Sequence, residues 1–302
     1  MDEINRRKTL LIVNPKAGKL KTKRQLFDVT DALSSGGHET TVYTTTCRGD
    51  ATRFARELSE PYDAVICRGG DGTLNEVITG IMALEPEKRP PIGFIPSGST
   101  NDFAKSLNIS ANSKKSVKQA MMGEAIYHDI GRLNKEKYFN YICCFGAFTE
   151  LAYKTSQAAK NLIGNAAYFS QFFKALSRLE HNHIKVTIDD DEVIEDDIVY
   201  GAVCNTRSIA GVLSFDPEVA KLNDGYFEVL LVKFPKNVNV FNKTSKCLLT
   251  KDYNEDYVYF RQASKVMFEF EREVPWTTDG EFGGKGTEAL VENIHNAVKI
   301  IR

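Results

Sequence analysis

The sequence predicts an α/β domain with a parallel, doubly wound sheet, followed by a domain built mainly from antiparallel β-strands. From the N-terminus to about residue 125, short apolar runs alternate with amphipathic helical patterns, which is typical of a parallel sheet with helices on both faces. Beyond that point, strand-like runs dominate. We expect domains at residues 1–125 and 126–288, with the apolar segment of about 289–302 returning to pack on the first domain.

The first domain is predicted to contain four strands, at residues 10–13, 38–46, 63–67 and 92–95. Apolar residues recur at helical spacing between these strands. They are Leu26, Val29 and Leu33, then Ala51, Phe54, Ala55 and Leu58, and then Leu74, Val77, Ile78, Ile81 and Met82. Polar loops follow the first, third and fourth strands. Because loops after parallel strands gather at one edge of a sheet, we expect a ligand site there.

The second domain is predicted to be rich in β-strands. The strand-like runs are residues 138–143, 184–188, 198–203, 226–232, 257–260 and 266–270. The acidic stretch at 189–192 is interpreted as a hairpin turn and not as a metal loop. A helix is expected at 165–179, where an aromatic stripe favours a core position over a lipid groove. His181 and His183 are interpreted as surface residues, since further metal ligands are missing nearby in the sequence.

Composition and charge exclude several classes of protein. The chain has 302 residues and a formal net charge of −1, from 39 basic and 40 acidic residues, which argues against coating of nucleic acid by bulk attraction. Six cysteines without a CxxC pair indicate buried free thiols in a reducing cytosol. No signal peptide is visible, and no apolar run approaches the ~18 residues that a membrane span needs.

The strongest motif is GGDGTLNE at residues 69–76. Its glycines let the backbone approach a phosphate closely, so that successive amides and the positive end of the next helix face the anion. Asp71 adds a carboxylate that can position Mg²⁺ or its water shell. A purely structural alternative is that Thr73 and Glu76 form a capping box, although this does not explain the acid inside the glycine loop. The candidate nucleotide-binding residues are Gly69, Gly70, Asp71, Gly72, Thr73, Asn75 and Glu76.

A second motif, PSGSTNDFA, occupies residues 96–104. On its own it is an ordinary helix start, but beside the first loop it supplies another wall of a phosphate site. Its candidate binding residues are Gly98, Ser99, Asn101 and Asp102. Neither loop has the P-loop pattern or the dinucleotide pattern, which argues against a standard NTPase and a Rossmann dehydrogenase.

Together with the NPKAG run at 14–18, these motifs resemble the soluble diacylglycerol and sphingosine kinase family, whose catalytic domain is related to NAD kinase. The LNDGYF run at 222–227 and the DGEFGG run at 279–284 are similar to two further motifs of that family, in the family order. GGDGT alone is shared with other kinases, whereas the full set in sequence is specific. The resemblance covers nearly the whole chain and implies an NAD kinase-like first domain and a sandwich-like second domain.

The resemblance also implies ATP and Mg²⁺ as cofactors and assigns residues to them. Asp71 would organise Mg·ATP, and Glu281 would be the general base that takes the proton from the lipid hydroxyl group. Asp224, with the backbone carbonyls of Lys221 and Tyr226, would hold a second, structural magnesium. From the residues alone, both of these later motifs are simple turn signals. The further nucleotide-site residues that the resemblance implies are Asn14, Pro15, Gly18, Thr45 and Ser99.

The expected activity is transfer of the γ-phosphoryl group of ATP to a lipid hydroxyl group, with diacylglycerol as the first substrate to test. A sphingoid base or phosphatidylglycerol remains an alternative acceptor. A catalytically silent lipid-binding regulator and an NAD kinase-like enzyme with a soluble substrate are further alternatives. The presence of Asp71 and Glu281 argues against a catalytically silent regulator. The NDFA and DGEFGG motifs argue against an NAD kinase-like enzyme with a soluble substrate. We expect a cytoplasmic protein in peripheral contact with membrane lipid at the inner face, without nucleic acid and, by analogy, homodimeric.

Overall fold

The computed structural model describes residues 6–17, 22–98, 101–146, 181–209, 213–216 and 218–302. The chain forms two compact units, Met1–Asp129 with Asn296–Arg302, and Ile130–His295. The C-terminal residues therefore return to the first unit, where the sequence places them from about residue 289. The predicted helix at 165–179 and its aromatic stripe, Phe169, Phe172, Phe173 and Leu176, lie outside the described residues.

The first unit contains a parallel sheet with the strand order β2-β1-β3-β4. Its strands are β1 (Arg7–Val13), β2 (His38–Thr44), β3 (Ala64–Gly69) and β4 (Ile92–Pro96). Ile300 and Ile301, at the end of the last strand of the chain, pair in parallel with β4. The helices are α1 (Thr22–Ser35), α2 (Asp50–Leu58), α3 (Asp71–Met82), α4 (Asp102–Ser106) and α5 (Ser113–Met122), with a 3-10 turn at Pro86–Lys88. The predicted doubly wound α/β architecture is confirmed.

Apolar residues of this sheet are covered by the helices that the 3.6-residue period predicts. Val29 and Leu33 of α1 and Val117 of α5 pack against Leu11 and Ile66. Helix α5 lies close to β4, because a Cβ atom at Gly93 would come within 2.9 Å of the Cβ atom of Ala120. Helices α2 and α3 pack on each other, and the Thr52 hydroxyl donates to the backbone carbonyl of Glu76 at 3.0 Å.

The second unit is built from antiparallel strands. They are β5 (Ala125–Leu133, which begins in the first unit), β6 (Lys137–Phe139), β7 (Ile142–Gly146), β8 (Asn182–Ile188), β9 (Glu192–Cys204), β10 (Ser208–Ile209), β11 (Leu213–Ser214), β12 (Phe227–Lys233), β13 (Val258–Ala263), β14 (Lys265–Thr278) and β15 (Glu281–Ile301). One described helix, α6 (Val238–Thr250), lies among them. The predicted antiparallel second domain is confirmed.

Alternation along β12 divides the apolar side chains of this unit between two clusters. Phe227, Val229 and Leu231 belong to one cluster, which also contains Trp276. Leu230 and Val232 belong to the other. The acidic stretch forms the predicted hairpin turn, with Asp189 at φ 48 and Asp190 at φ 63 between β8 and β9. Period-2 patterning and turn chemistry therefore account for most of this unit.

Five of the six cysteines are buried free thiols, as the composition indicates, whereas Cys47 is exposed. Burial raises the pKa of the Cys144 thiol to about 12, which keeps it protonated and unreactive. None of the helices within the described ranges combines the length and apolar character that a membrane crossing needs.

Candidate active site

The glycine-rich motif forms the junction between β3 and α3. The strand ends at Gly69, and Gly70 is extended at the N-cap of the helix (φ −92, ψ −177). Gly70 has no side chain, so the N-cap residue itself makes no side-chain hydrogen bond to the first amides of the helix. Gly69 has no room for a side chain, because a Cβ atom there would lie 2.5 Å from the Cβ atom of Thr73. This is the backbone arrangement that suits a bound phosphate.

The capping-box alternative is wrong. The hydroxyl of Thr73 accepts a hydrogen bond from the Asn14 side-chain amide at 3.0 Å. The carboxylate of Glu76 accepts from the backbone N–H groups of Gly49 at 3.0 Å and Ala51 at 3.2 Å. The Glu76 carboxylate therefore provides hydrogen-bond acceptors for the N-terminus of α2, the neighbouring helix. These bonds attach α3, which carries the glycine-rich motif, to α2.

The second motif lies directly against the first. The Ser97 backbone N–H donates to the Gly69 carbonyl at 2.7 Å. A Cβ atom at Gly98 would lie 2.8 Å from the Cα atom of Gly70, so the two loops are in backbone contact. Asn101 has a left-handed conformation (φ 48), and its side-chain amide donates to the Gly98 carbonyl at 2.9 Å. The predicted meeting of the two loops at one sheet edge is thus observed. Ser99 lies outside the described residues.

Asp71 bridges the two motifs. Its carboxylate accepts hydrogen bonds from the backbone N–H groups of Asp102, at 3.1 Å, and Phe103, at 3.4 Å. Burial raises the pKa of Asp71 above its ordinary value, and the neighbouring Asp102 charge acts in the same direction. The two backbone donors and Lys105 oppose that rise. A half-buried carboxylate that is held this way is well suited to a cationic partner.

Two buried polar atoms of the second loop have no hydrogen-bond partner among the described residues. They are the hydroxyl oxygen of Ser97 and the side-chain oxygen of Asn101. Burying such atoms without a partner is costly, and a ligand with hydrogen-bonding groups removes the cost. A hydroxyl beside glycine amides can donate to a phosphate oxygen, so the residues fit the polyphosphate of a nucleotide. Sequence reasoning did not single out Ser97, although its position inside the motif was the available signal.

The loop after β1 lies beside the glycine motif. The Asn14 backbone N–H donates to the Arg68 carbonyl at 2.9 Å, and its side chain contacts Thr73 as described. Thr45 is buried, and its backbone N–H donates to the Val13 carbonyl at 2.8 Å. Pro15 is exposed on this loop, whereas Gly18 lies outside the described residues. Asn75 is half-buried and is the fifth residue of α3.

Arg68 is a feature of this edge that the sequence did not indicate. It precedes Gly69 on β3, and only 2% of the residue is exposed. Burial lowers the pKa of its guanidinium group, and the Asp28 carboxylate opposes that shift. A guanidinium remains charged even so, which places a fixed positive charge inside the first unit.

The DGEFGG motif forms a tight hairpin between β14 and β15. Asp279 (φ 49) and Gly280 (φ 82) are the two turn residues, and Thr278 pairs with Glu281. The Asp279 carboxylate accepts from the backbone N–H groups of Asn140 at 2.7 Å, Tyr141 at 3.0 Å and Ile142 at 3.2 Å. Glu281 is exposed at the start of β15. The prediction that this motif forms a turn is confirmed, and Glu281, directly after the turn, is exposed to solvent.

The LNDGYF motif is also a turn. The Asp224 carboxylate accepts from the Tyr226 backbone N–H at 3.1 Å, and Gly225 has φ 87. Within the described residues, no group of three or more His, Cys, Asp or Glu side chains is placed to hold a metal. The predicted magnesium set needs one side chain, Asp224, and the carbonyls of Lys221 and Tyr226, so it stays a prediction. Glu228, two residues after Tyr226, is buried, and this burial raises the pKa of its carboxyl group to about 8.

Comparison with known proteins decides the family. Residues 8–133 match the model of the diacylglycerol kinase catalytic domain, and residues 147–302 match the YegS C-terminal NAD kinase beta sandwich-like domain. A diacylglycerol kinase of Staphylococcus saprophyticus is 33% identical over 281 residues, covering 93% of this chain and 90% of that protein. The chain belongs to the diacylglycerol kinase family. A diacylglycerol kinase of Bacillus subtilis is 32% identical over 276 residues, covering 91% of this chain and 89% of that protein.

Solved structures agree with this family assignment. A diacylglycerol kinase of Bacillus anthracis superposes with a TM-score of 0.77 at 27% identity, covering 98% of this chain and 96% of that one. Yeast NADH kinase superposes with a TM-score of 0.51 at 10% identity, covering 98% and 83% of the two chains, which shows a shared fold alone. As a member of the diacylglycerol kinase family, the protein is a kinase that acts on a lipid, and ATP is its phosphoryl donor. The resemblance that the motifs carry is confirmed.

Proposed function

We propose that this diacylglycerol kinase family member transfers the γ-phosphoryl group of Mg·ATP to the hydroxyl group of diacylglycerol, giving phosphatidate and ADP. The observation that carries the proposal is the backbone contact of Gly70 with Gly98, which brings the two family motifs together around buried polar atoms that have no partner within the described part of the chain. Support for diacylglycerol itself comes from the relatives that bear its name.

The first unit supplies the phosphate-binding side of the proposed reaction. The amides from Gly69 to Thr73, the positive end of α3 and the Ser97 hydroxyl bind and orient the polyphosphate. Asp71 would hold the water shell of a bound Mg²⁺, which would supply neutralisation of the polyphosphate charge. Phosphoryl transfer depends mostly on positioning and charge neutralisation, so no covalent protein intermediate is proposed.

Glu281 has the proposed role of general base. It accepts the proton of the lipid hydroxyl group as the hydroxyl oxygen bonds to the γ-phosphorus atom, and the bond to the bridging oxygen breaks to release ADP. Its exposure at a short hairpin supports the role, because the carboxylate is accessible to an acceptor. The structural magnesium at Asp224, Lys221 and Tyr226, peripheral membrane contact and homodimerisation belong to the same proposal.

The test is phosphate transfer from labelled ATP to lipids in mixed micelles. The panel contains diacylglycerol, sphingosine and phosphatidylglycerol, with NAD as a soluble acceptor. We expect labelled phosphatidate, and its loss in Glu281→Gln with ATP binding retained. Transfer to another lipid would mean that this lipid, and not diacylglycerol, is the acceptor, with the same phosphoryl-transfer reaction. Transfer to NAD alone would overturn the proposal.

A further inference from the structure

Glu228 is a buried acid at the start of β12, two residues after Tyr226 of the LNDGYF turn. The residue is 0% exposed, which is rare for a glutamate that is not paired. Over the part of the chain that the structure describes, neither carboxylate oxygen of Glu228 has a hydrogen-bond partner. Because burying an unpaired carboxylate is costly, a ligand that pairs with this group would be favoured.

The loop before β12 packs on the face of the strand that carries Glu228. Side chains alternate along a strand, so Glu228 lies on the same face as Leu230 and Val232. These two residues belong to an apolar cluster that also contains Ala220 of the loop. The loop segment around Ala220, directly before Lys221, is therefore on the side of β12 where the buried carboxylate lies.

Gln262 and Asp224 connect Glu228 with this loop. Gln262 is the β13 partner of Glu228, and its side-chain amide donates to the Val219 carbonyl at 3.0 Å. Because that amide is used at Val219, it does not serve as the partner of the Glu228 carboxylate. Burial raises the pKa of Glu228, its own backbone N–H and Gln262 oppose the rise, and the negative charge of Asp224 adds to it. The two carboxylates are therefore within electrostatic reach of each other.

We infer that Glu228 is a further carboxylate of the cation site that is predicted at Asp224, Lys221 and Tyr226. The inference rests on the structural magnesium of the proposed function and adds a residue that lies outside the LNDGYF motif. Carboxylates and carbonyls are the oxygen ligands that Mg²⁺ and Ca²⁺ take, and a divalent cation would give two neighbouring negative charges their partner. A bound cation would then join the loop to β12.

The test is binding of Mn²⁺, which suits the same oxygen ligands as Mg²⁺ and whose free ion is counted by electron paramagnetic resonance. The protein is treated with EDTA and free of nucleotide, and it carries Asp71→Asn so that the proposed nucleotide magnesium does not contribute. We expect this parent protein to bind Mn²⁺, and Asp224→Asn to abolish the binding. Glu228→Gln should raise the Kd for Mn²⁺ by at least about tenfold. Glu228→Leu, a second variant of similar size, should show the same loss.

Glu218→Gln is the matched control, because Glu218 is an exposed acid of the same loop, and it should leave the Kd for Mn²⁺ unchanged. An unchanged Kd in both Glu228 variants, or an equal loss of affinity in Glu218→Gln, would overturn the inference and leave the predicted magnesium at Asp224 in place. Absence of Mn²⁺ binding in the parent protein would overturn both. Phosphate transfer by the wild-type enzyme is a separate measurement, so the kinase proposal can fail or succeed independently.

Discussion

The carboxylate of Asp71 accepts a hydrogen bond from the backbone N–H of Asp102 at 3.1 Å. This contact joins the loop after β3 to the first turn of α4, which follows β4. Asp71 therefore has a structural task that is separate from its proposed role at the magnesium. Two substitutions can distinguish the two tasks, because one removes the charge and the other removes both the charge and the acceptor.

Asp71→Asn should retain an oxygen acceptor for the α4 amides and lose the negative charge. We expect turnover to fall by roughly 100-fold or more, with the thermal midpoint nearly unchanged. Asp71→Ala should lose turnover and also lower the midpoint, because the α4 donors lose their acceptor. Initial rates and thermal unfolding of both variants are the measurements. Wild-type turnover in Asp71→Asn would remove the proposed magnesium role.

Gly98→Ala should destabilise the protein, since its Cβ atom would lie 2.8 Å from both the Gly70 Cα atom and the Asn101 side-chain oxygen. Overpacking of this kind costs about 1–3 kcal/mol. Gly70→Ala is the matched control, because a Cβ atom there is 3.4 Å from its nearest neighbour. Chemical unfolding should show a clear loss for the first variant and a smaller one for the second. The reverse order would mean that the two loops are not in backbone contact.

Glu76→Ala should lower stability by about 1 kcal/mol, because the amides of Gly49 and Ala51 at the start of α2 lose their acceptor. Glu57→Ala, on the exposed surface of α2, is the control and should change stability by less than about 0.5 kcal/mol. Urea unfolding measures both. Equal losses of stability in the two variants would indicate that Glu76 contributes only through its negative charge and not through its hydrogen bonds to Gly49 and Ala51.

Asp279→Asn should impair turnover, because the carboxylate that fixes the hairpin bearing Glu281 loses part of its hydrogen bonding to Asn140, Tyr141 and Ile142. Asp189→Asn is a matched control at another hairpin, where the carboxylate accepts from the backbone of Ser264 at 2.9 Å and Lys265 at 2.8 Å. Both variants should lose stability, and only the first should lose turnover beyond its loss of folded protein. An equal effect on kcat would refute a positioning role for Asp279.

Stability should depend on pH through His38. This residue is buried, and its ring contacts the Thr9 hydroxyl at 2.7 Å. Burial lowers its pKa below the ordinary histidine value of 6.5, and the positive charge of Arg7 acts in the same direction. The unfolded chain therefore binds the proton more readily, so this contribution is complete above pH 6.5 and is lost as the pH falls below it.

Unfolding free energies measured between pH 5 and pH 8 should thus fall on the acid side, and His38→Gln should flatten that slope. His183 is the control of opposite sign, since hydrogen bonds to Asp197 and Glu195 raise its pKa. Its contribution is present at low pH and is lost as the pH rises through the folded pKa. An unchanged acid slope in His38→Gln would assign the pH dependence to other groups.

Local patterns were sufficient to predict the class of the fold. The alternation of apolar strands with helical stripes predicts the first sheet, and Asp279-Gly280 predicts a tight turn, because both depend on near neighbours in the chain. The lengths of the strands were less predictable. Strand β9 extends over Glu192–Cys204, well beyond the predicted 198–203, because half-buried polar positions still pair with β8.

The sequence by itself determined the two-domain α/β and antiparallel organisation, the glycine loops and the family, since these depend on periodicity and on contiguous motifs. Only the tertiary structure decided which hydrogen-bond partners individual side chains have. Glu76 binds the start of α2, Asp71 binds α4, and the buried hydroxyl oxygen of Ser97 has no partner among the residues that the structure describes. Each depends on residues that are distant in the chain and become neighbours only when helices pack on the sheet, so no local pattern encodes them.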